Sequence, residues 1–190
     1  MSRPVLHTAR LTLRPLGDEH LDHLVELDSD PAVMRFITGR ASTREEVLAF
    51  QPRRTNPDLD AEGLGYWCGF VEGEFVGWWL LVRPDRPEKG DPRDGVLGYR
   101  LLRRHWRQGY ASEGSRELLR YAFEDLGLPR VTADTMAVNE GSRAVMESIG
   151  MRYWHTFHGE FDDPLPGTEL GEVVYALTAA DWRGGQAGGS

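Results

Sequence analysis

The order of segments along this chain predicts an α+β (mixed α/β) domain: a mostly antiparallel sheet of about seven strands, flanked by helices. Three observations predict it. "VLHTARLTLRPL" alternates Leu6, Thr8, Leu11 and Leu13 with polar partners, the period of a half-buried strand. "GYWCGFVEGEFVGWWLLV" reads as two strands around Glu72-Gly73-Glu74, a β-hairpin. From residue 95 onward strand-like and helix-like runs follow in the order β-α-β-α-β-β.

The elements can be justified in turn. After the first strand, "GDEHLDHLVELDSD" places Leu21, Leu24, Val25 and Leu27 at helical spacing, and Asp30-Pro31 ends it. "PAVMRFI" predicts a second short helix. "STREEVLAF" sets Ser42 or Thr43 three residues ahead of a glutamate, the signature of a capping box. The stretch "RPDRPEKGDPRDG" is rich in Pro, Gly and charge, hence a loop within one domain, since strand-like "VLGYRLL" follows at once. "ASEGSRELLRYAFEDLG" gathers Leu118, Leu119, Ala122, Phe123 and Leu126 on one helical face. "RVTADTM" is a strand, and the unit over residues 95 to 136 brings two parallel strands together by a right-handed crossover. "NEGSRAVMESIG" is a helix with Asn139 as N-cap and Gly150 as stop. "MRYWHTF" and "GEVVYALT" are the last two strands. The expectation is one domain over residues 1–183 and a flexible tail, 184–190, ending in "GGQAGGS".

Composition narrows the function classes. Apolar residues make up 40% and charged residues 27% of 190, a globular balance. Acidic residues outnumber basic ones 30 to 22, which argues against a nucleic-acid or anionic-membrane binder, because phosphate binding leans on Lys and Arg. The N-terminus has no secretory pattern and no window approaches a transmembrane span, so the expectation is a cytoplasmic protein without a membrane partner. The one cysteine, Cys68, excludes an intrachain disulfide and a multi-cysteine metal site; in "GYWCGFV" it reads as a buried, inert thiol, and no metal is expected. Trp67, Trp78 and Trp79 admit an aromatic cage for a cation, but adjacent strand residues point oppositely, so at most one of Trp78 and Trp79 faces a groove.

The stretch most in need of a ligand is "RRHWRQGYAS". Arg103, Arg104 and Arg107 crowd a glycine turn that leads into a helix, in a chain whose net charge is −8. Such a turn presents free backbone N–H groups and the positive end of the helix dipole, which suits a phosphate. An ordinary strand-to-helix turn fits these residues equally well. Gly-Lys-Ser/Thr and Gly-x-Gly-x-x-Gly are both missing, which argues against nucleoside-triphosphate and dinucleotide folds.

Trp106-Arg107-Gln108-Gly109-Tyr110-Ala111 resembles the acetyl-coenzyme A loop of the GNAT N-acetyltransferase superfamily, with Trp106 at a position where Arg or Gln is usual. Trp-x-x-Gly-Tyr-Ala-Ser-Glu is similar to one branch, that of the ribosomal-protein-alanine N-acetyltransferases. "LHTARLTLRPL", "LDSDPAVMRFI", "VGWWLL", "LGYRLL" and "VNEGSRAVMESIGM" resemble further segments of that branch in the same order, so the likeness runs from about Leu6 to Trp182.

The resemblance implies a sheet splayed between its fourth and fifth strands and transfer of acetyl from coenzyme A to an amine by direct attack. It implies that backbone N–H groups of Arg107, Gln108, Gly109, Tyr110, Ala111 and Ser112 hold the cofactor's phosphates. Tyr99, Arg100 and Leu101 take the place of the strand that pairs with pantetheine, and Arg104 is a candidate for the phosphates or simply a solvated surface residue. Asn139 lies where the family contacts pantetheine, and Ser142 near the sulfur. The usual tyrosine acid is replaced by Met146 and the usual strand-four glutamate by Val96. Ser142, Tyr153 or a water is left as the acid, or the thiolate leaves with no specific acid. His158, Glu160, His155 and Glu172 are left as bases, each with a plain surface role as its alternative. The acceptor is a protein N-terminal amine or a small-molecule amine, and a homodimer is compatible with either. A catalytically weak acyl-coenzyme A sensor or regulatory module is the competing function.

Overall fold

A computed structural model describes residues 3–187. The chain divides into two compact units, Met1–Val82 with Gly98–Glu117, and Arg83–Leu97 with Leu118–Ser190. Its strands hydrogen-bond in the order β1-β2-β3-β4-β5-β6-β8-β7.

The first unit holds β1 (Leu6–His7), β2 (Thr12–Pro15), β3 (Gly65–Val71), β4 (Glu74–Val82) and the second half of β5 (Gly95–Leu101). The expected single first strand is two. Thr8 N–H donates to Leu11 O at 2.9 Å, turning the chain back so that Leu6 pairs Leu13. This raises the count from about seven strands to eight. The hairpin of β3 and β4 is as expected, with Trp67 opposite Trp79 and Cys68 opposite Trp78. Alternation therefore puts Cys68 and Trp78 on one face, where they join Leu24, Leu27, Val33, Val47 and Leu102 in a core. Burial pushes the Cys68 thiol up to about 12, so it is no nucleophile at neutral pH.

Helix α1 (Leu21–Asp28) covers this core with Leu24 and Leu27. Helix α2 (Arg44–Arg54) begins at the expected capping box, Thr43 accepting from Glu46 N–H and Glu46 from Thr43 N–H. Arg40 and the Thr43 N–H pull the Glu46 carboxyl down to about 2. A short α3 (Pro57–Ala61) follows, capped by Asn56. "PAVMRFI" is a chain of turns, not the expected helix. Asp30 captures the Ala32 N–H, and Ile37, Thr38 and Gly39 all donate to Met34 O, so no regular ladder forms.

The second unit holds the first half of β5, then β6 (Arg130–Met136), β7 (Arg152–Phe157) and β8 (Glu172–Thr178). Gly95 and Val96 pair in parallel with Val131 and Thr132, as the crossover argument requires. β8 runs antiparallel to both β6 and β7. Helix α5 (Glu140–Ser148) lies on the face carrying Tyr175, whose hydroxyl donates to Glu147 and accepts from Arg143. Helix α4 (Tyr110–Arg120) passes into a π-helical turn at Tyr121–Asp125. Helix α6 spans Ala179–Ala187, so the tail expected from residue 184 starts inside a helix, and residues 188–190 lie outside the described ones.

Candidate active site

The turn between β5 and α4 is built to face its donors outward. A single 3-10 turn at Arg103–His105 leads to Arg107 and Gly109, both with positive φ, 59° and 83°. For Gly109 that conformation is free; for Arg107 it is a sterically costly one. Alternating backbone hands of this kind bring successive N–H groups to one side of the chain. Nothing among the described residues accepts from the backbone N–H groups of residues 107–111. Helix α4's own ladder opens later, with Glu113 N–H donating to Gly109 O at 3.0 Å.

The carbonyl groups of the same turn are occupied by side chains. Trp106 Nε1 donates to Leu101 O at 2.8 Å, Gln108 Nε2 to Arg104 O at 2.8 Å, and Arg10 Nη1 to Gln108 O at 2.9 Å. The negative ends of these peptide groups are thus covered while the positive ends stay open. Trp106 is accounted for as a brace, which explains an indole at this position.

A second layer fixes the turn from behind. Glu113 accepts from Thr8 Oγ1 at 2.6 Å, from Arg10 N–H at 2.9 Å and from Arg10 Nε at 2.7 Å. Burial raises the Glu113 carboxyl, but the bonds from Thr8 and Arg10 outweigh it and the net shift is downward. Arg10 also lies 4.4 Å from the Tyr110 ring centre. Trp79 Nε1 donates to Ala111 O at 3.2 Å, and its ring lies so close to α4 that a Cβ on Gly114 would meet it at 2.5 Å. Trp67, Trp78 and Trp79 are all buried, so they form no exposed aromatic cage.

The arginines divide. Arg104 is engaged, Nη1 with Glu26 at 2.7 Å and Nε with Glu74 at 3.1 Å. Two carboxylates already share its charge. Arg107 is exposed and has no ion-pair partner among the described residues. Arg100 turns its side chain toward Asp28, 2.6 Å away.

In the second unit Asn139 caps α5, its Oδ1 accepting from Ser142 N–H at 3.2 Å while Nδ2 donates to Thr135 at 3.0 Å. Asn139 and Ser142 are therefore brought together. Met146 is buried, so the position of the usual tyrosine belongs to the core. Tyr153 sits on the outermost strand with its hydroxyl 3.0 Å from Thr156 Oγ1. His158 and Glu160 are exposed on the connection after β7, and His155 is half-buried. Glu172 is different: burial first, then the neighbouring Asp134, pushes its carboxyl up, against the pull of Lys89 and Arg86. Lys89 Nζ lies 3.3 Å from Asp134. Among the described residues no cluster of three or more His, Cys, Asp or Glu could hold a metal, and no helix is long and apolar enough to cross a membrane.

Thr8, Arg10 and Glu113 are the residues that reading the sequence missed. All three lay inside segments already singled out, but nothing in either segment said that the two bond to each other across 105 residues.

Comparison with known proteins gives the class, that of the acetyltransferases. The model of the acetyltransferase (GNAT) domain matches residues 10–152, and the chain belongs to that family of N-acetyltransferases. It is 44% identical over 185 residues, 95% of this chain and 79% of the relative, to FsC-acetyl coenzyme A-N(2)-transacetylase of Aspergillus fumigatus. An acetyltransferase structure from Agrobacterium tumefaciens str. C58 is 25% identical with a TM-score of 0.72, covering 93% of this chain and 95% of that one. The fold also matches RimL, a ribosomal L7/L12 alpha-N-protein acetyltransferase in complex with coenzyme A, at 17% identity and a TM-score of 0.75, covering 94% and 99%.

Proposed function

We propose that this chain moves acetyl from acetyl-coenzyme A to a primary amine of a small molecule, by direct attack of the amine on the thioester. The observation that carries the acceptor class is the 44% identity, over nearly the whole chain, to a transacetylase named for a numbered nitrogen, N(2). A numbered nitrogen is the nomenclature of a small molecule, so the small-molecule amine is favoured over a protein N-terminus.

The turn fits the cofactor's diphosphate. Residues 107–111 offer unused N–H donors, their carbonyl neighbours are covered, and the helix dipole adds to the same field. In this reading Arg107, Gln108, Gly109, Tyr110, Ala111 and Ser112 hold phosphate. The main chain of Tyr99 to Leu101 pairs with the pantetheine arm, and an N–H there meets charge growing on the thioester oxygen. Arg104 is left out, because Glu26 and Glu74 hold it. Asn139 positions the pantetheine. As the C–N bond forms and the C–S bond breaks, Ser142 passes a proton to the departing thiolate, and Tyr153 is the reserve. The proton released by the amine goes to His158, Glu160 or Glu172, or through water. Of these, Glu172 has its carboxyl raised toward the working range of a base. A single catalytic domain over residues 1–183 and a cytoplasmic location belong to the same reading.

The test is release of free thiol from acetyl-coenzyme A in the presence of a panel of small amines and of peptides. Faster release with small amines than with peptides supports the proposal; the reverse order would hand the acceptor back to protein N-termini.

A further inference from the structure

Beneath α1 and α2 lies a charge cluster that the acetyl-transfer chemistry described above does not use. Asp28 closes α1 and Arg54 closes α2, and both are buried, 3% and 8% exposed. Asp28 Oδ2 accepts from Arg54 Nη2 at 3.1 Å, and Asp28 Oδ1 from Arg100 Nη1 at 2.6 Å. Arg100 in turn packs on Trp78, its guanidinium carbon 5.0 Å from the ring centre. One carboxylate therefore serves two guanidinium groups. The other groups that bear on Arg100 are Arg54 and the phenol of Tyr66, and among the described residues Asp28 is the one carboxylate in ion-pair contact with either guanidinium.

A guanidinium keeps its proton, so the excess positive charge cannot be relieved by titration. Buried charge without a counter-charge is costly. The carboxyl end of α2 offsets part of it but takes none of the hydrogen bonds in question. Within this cluster three buried donors have no partner among the described residues: Arg54 Nη1, Arg100 Nε and Trp78 Nε1. Buried donors in folded proteins are nearly always satisfied, so a set of unmatched ones calls for a partner such as a water, an ion or a ligand group. Arg100, whose side chain keeps 14% of its surface exposed, is where the cluster opens outward.

We propose that this cluster is a carboxylate-recognition site for the acceptor. Two guanidinium groups and an indole N–H offer a fork of donors around one excess positive charge, and an anionic pair of oxygens answers both. The inference rests on the acetyltransferase reading and deepens it: the favoured acceptor is an amine that also carries a carboxylate. β5 supplies the link, because Arg100 lies in the stretch whose main chain is assigned to pantetheine while its side chain belongs to this cluster.

The experiment compares α-amino acids with their carboxamides and with the amines that lack the carboxyl group, matched side chain by side chain. Thiol release reads turnover, and quenching of tryptophan fluorescence, with Trp78 in the site, reads binding without turnover. The acids are expected to bind and react at least about tenfold better than their amides. Arg54→Met, which leaves Asp28 and Arg100 as a balanced pair, brings the acids down to the level of the amides. Equal binding of acids and amides by the wild-type protein overturns the site without recourse to any variant. Acids bound preferentially but never acetylated would uphold the site and sink the transferase reading instead.

Discussion

At Glu113 a backbone N–H, a hydroxyl and a guanidinium converge on one carboxylate, and all come from the turn between β1 and β2. The bonds hold the first turn of α4 in register with the donors ahead of it. Glu113→Gln keeps the shape and loses the charge, so a loss of about 1 kcal/mol is expected after allowing for Arg10's exposure. The pH dependence has a definite sign. The folded carboxyl titrates below its usual value of 4.5, so its contribution is full above that pH and fades as pH falls through the lower folded value. The melting-temperature gap between wild type and Glu113→Gln should be constant near neutrality and close under acid. A gap that widens in acid would contradict the clamp. Ser142→Ala should lower turnover more than coenzyme A affinity, read by thiol release and by calorimetry. An unchanged rate would remove Ser142 as the acid.

The turn from β5 into α4 carries its own tests. Gly109→Glu forces a side chain into a left-handed position and sets a negative charge among the proposed phosphate donors. Coenzyme A affinity should be lost in a protein that still folds; unchanged affinity by calorimetry would dismiss the turn as the phosphate site. In β8, Glu172 offers the opposite pH behaviour to Glu113. Its carboxyl is raised by burial and by Asp134, so the ionised form is the strained one. Glu172→Gln should raise the melting temperature at pH 7, with the gain vanishing as pH falls below the usual 4.5. How far sequence could foresee these elements depended on whether the signal was local. The capping box at Thr43 and Glu46 is complete within four residues and reads directly. "PAVMRFI" has helical apolar spacing, yet Asp30 and the shared Met34 carbonyl decide against a helix through bonds that no periodicity displays. The turn after β5 was legible as a turn, but that Arg104 belongs to Glu26 and Glu74 is a matter of tertiary contact.

For the whole molecule, strand alternation and helix spacing sufficed for a mostly antiparallel sheet flanked by helices, because each element signals its own buried face. The extra strand escaped notice since the turn at Thr8–Leu11 contains neither glycine nor proline and interrupts no apolar period. The polar cluster around Asp28 was invisible for another reason. Its members come from α1, α2, β4 and β5, and only the folded chain collects them. Everything proposed here turns on transfer of acetyl to an amine. Incubation with acetyl-coenzyme A and a broad amine panel, followed by free thiol and by the mass of the acceptor, tests it most directly. The account predicts thiol release above the protein-free rate together with an acetylated amine. Tight coenzyme A binding with no release across the panel would contradict it and leave a cofactor-binding module in its place.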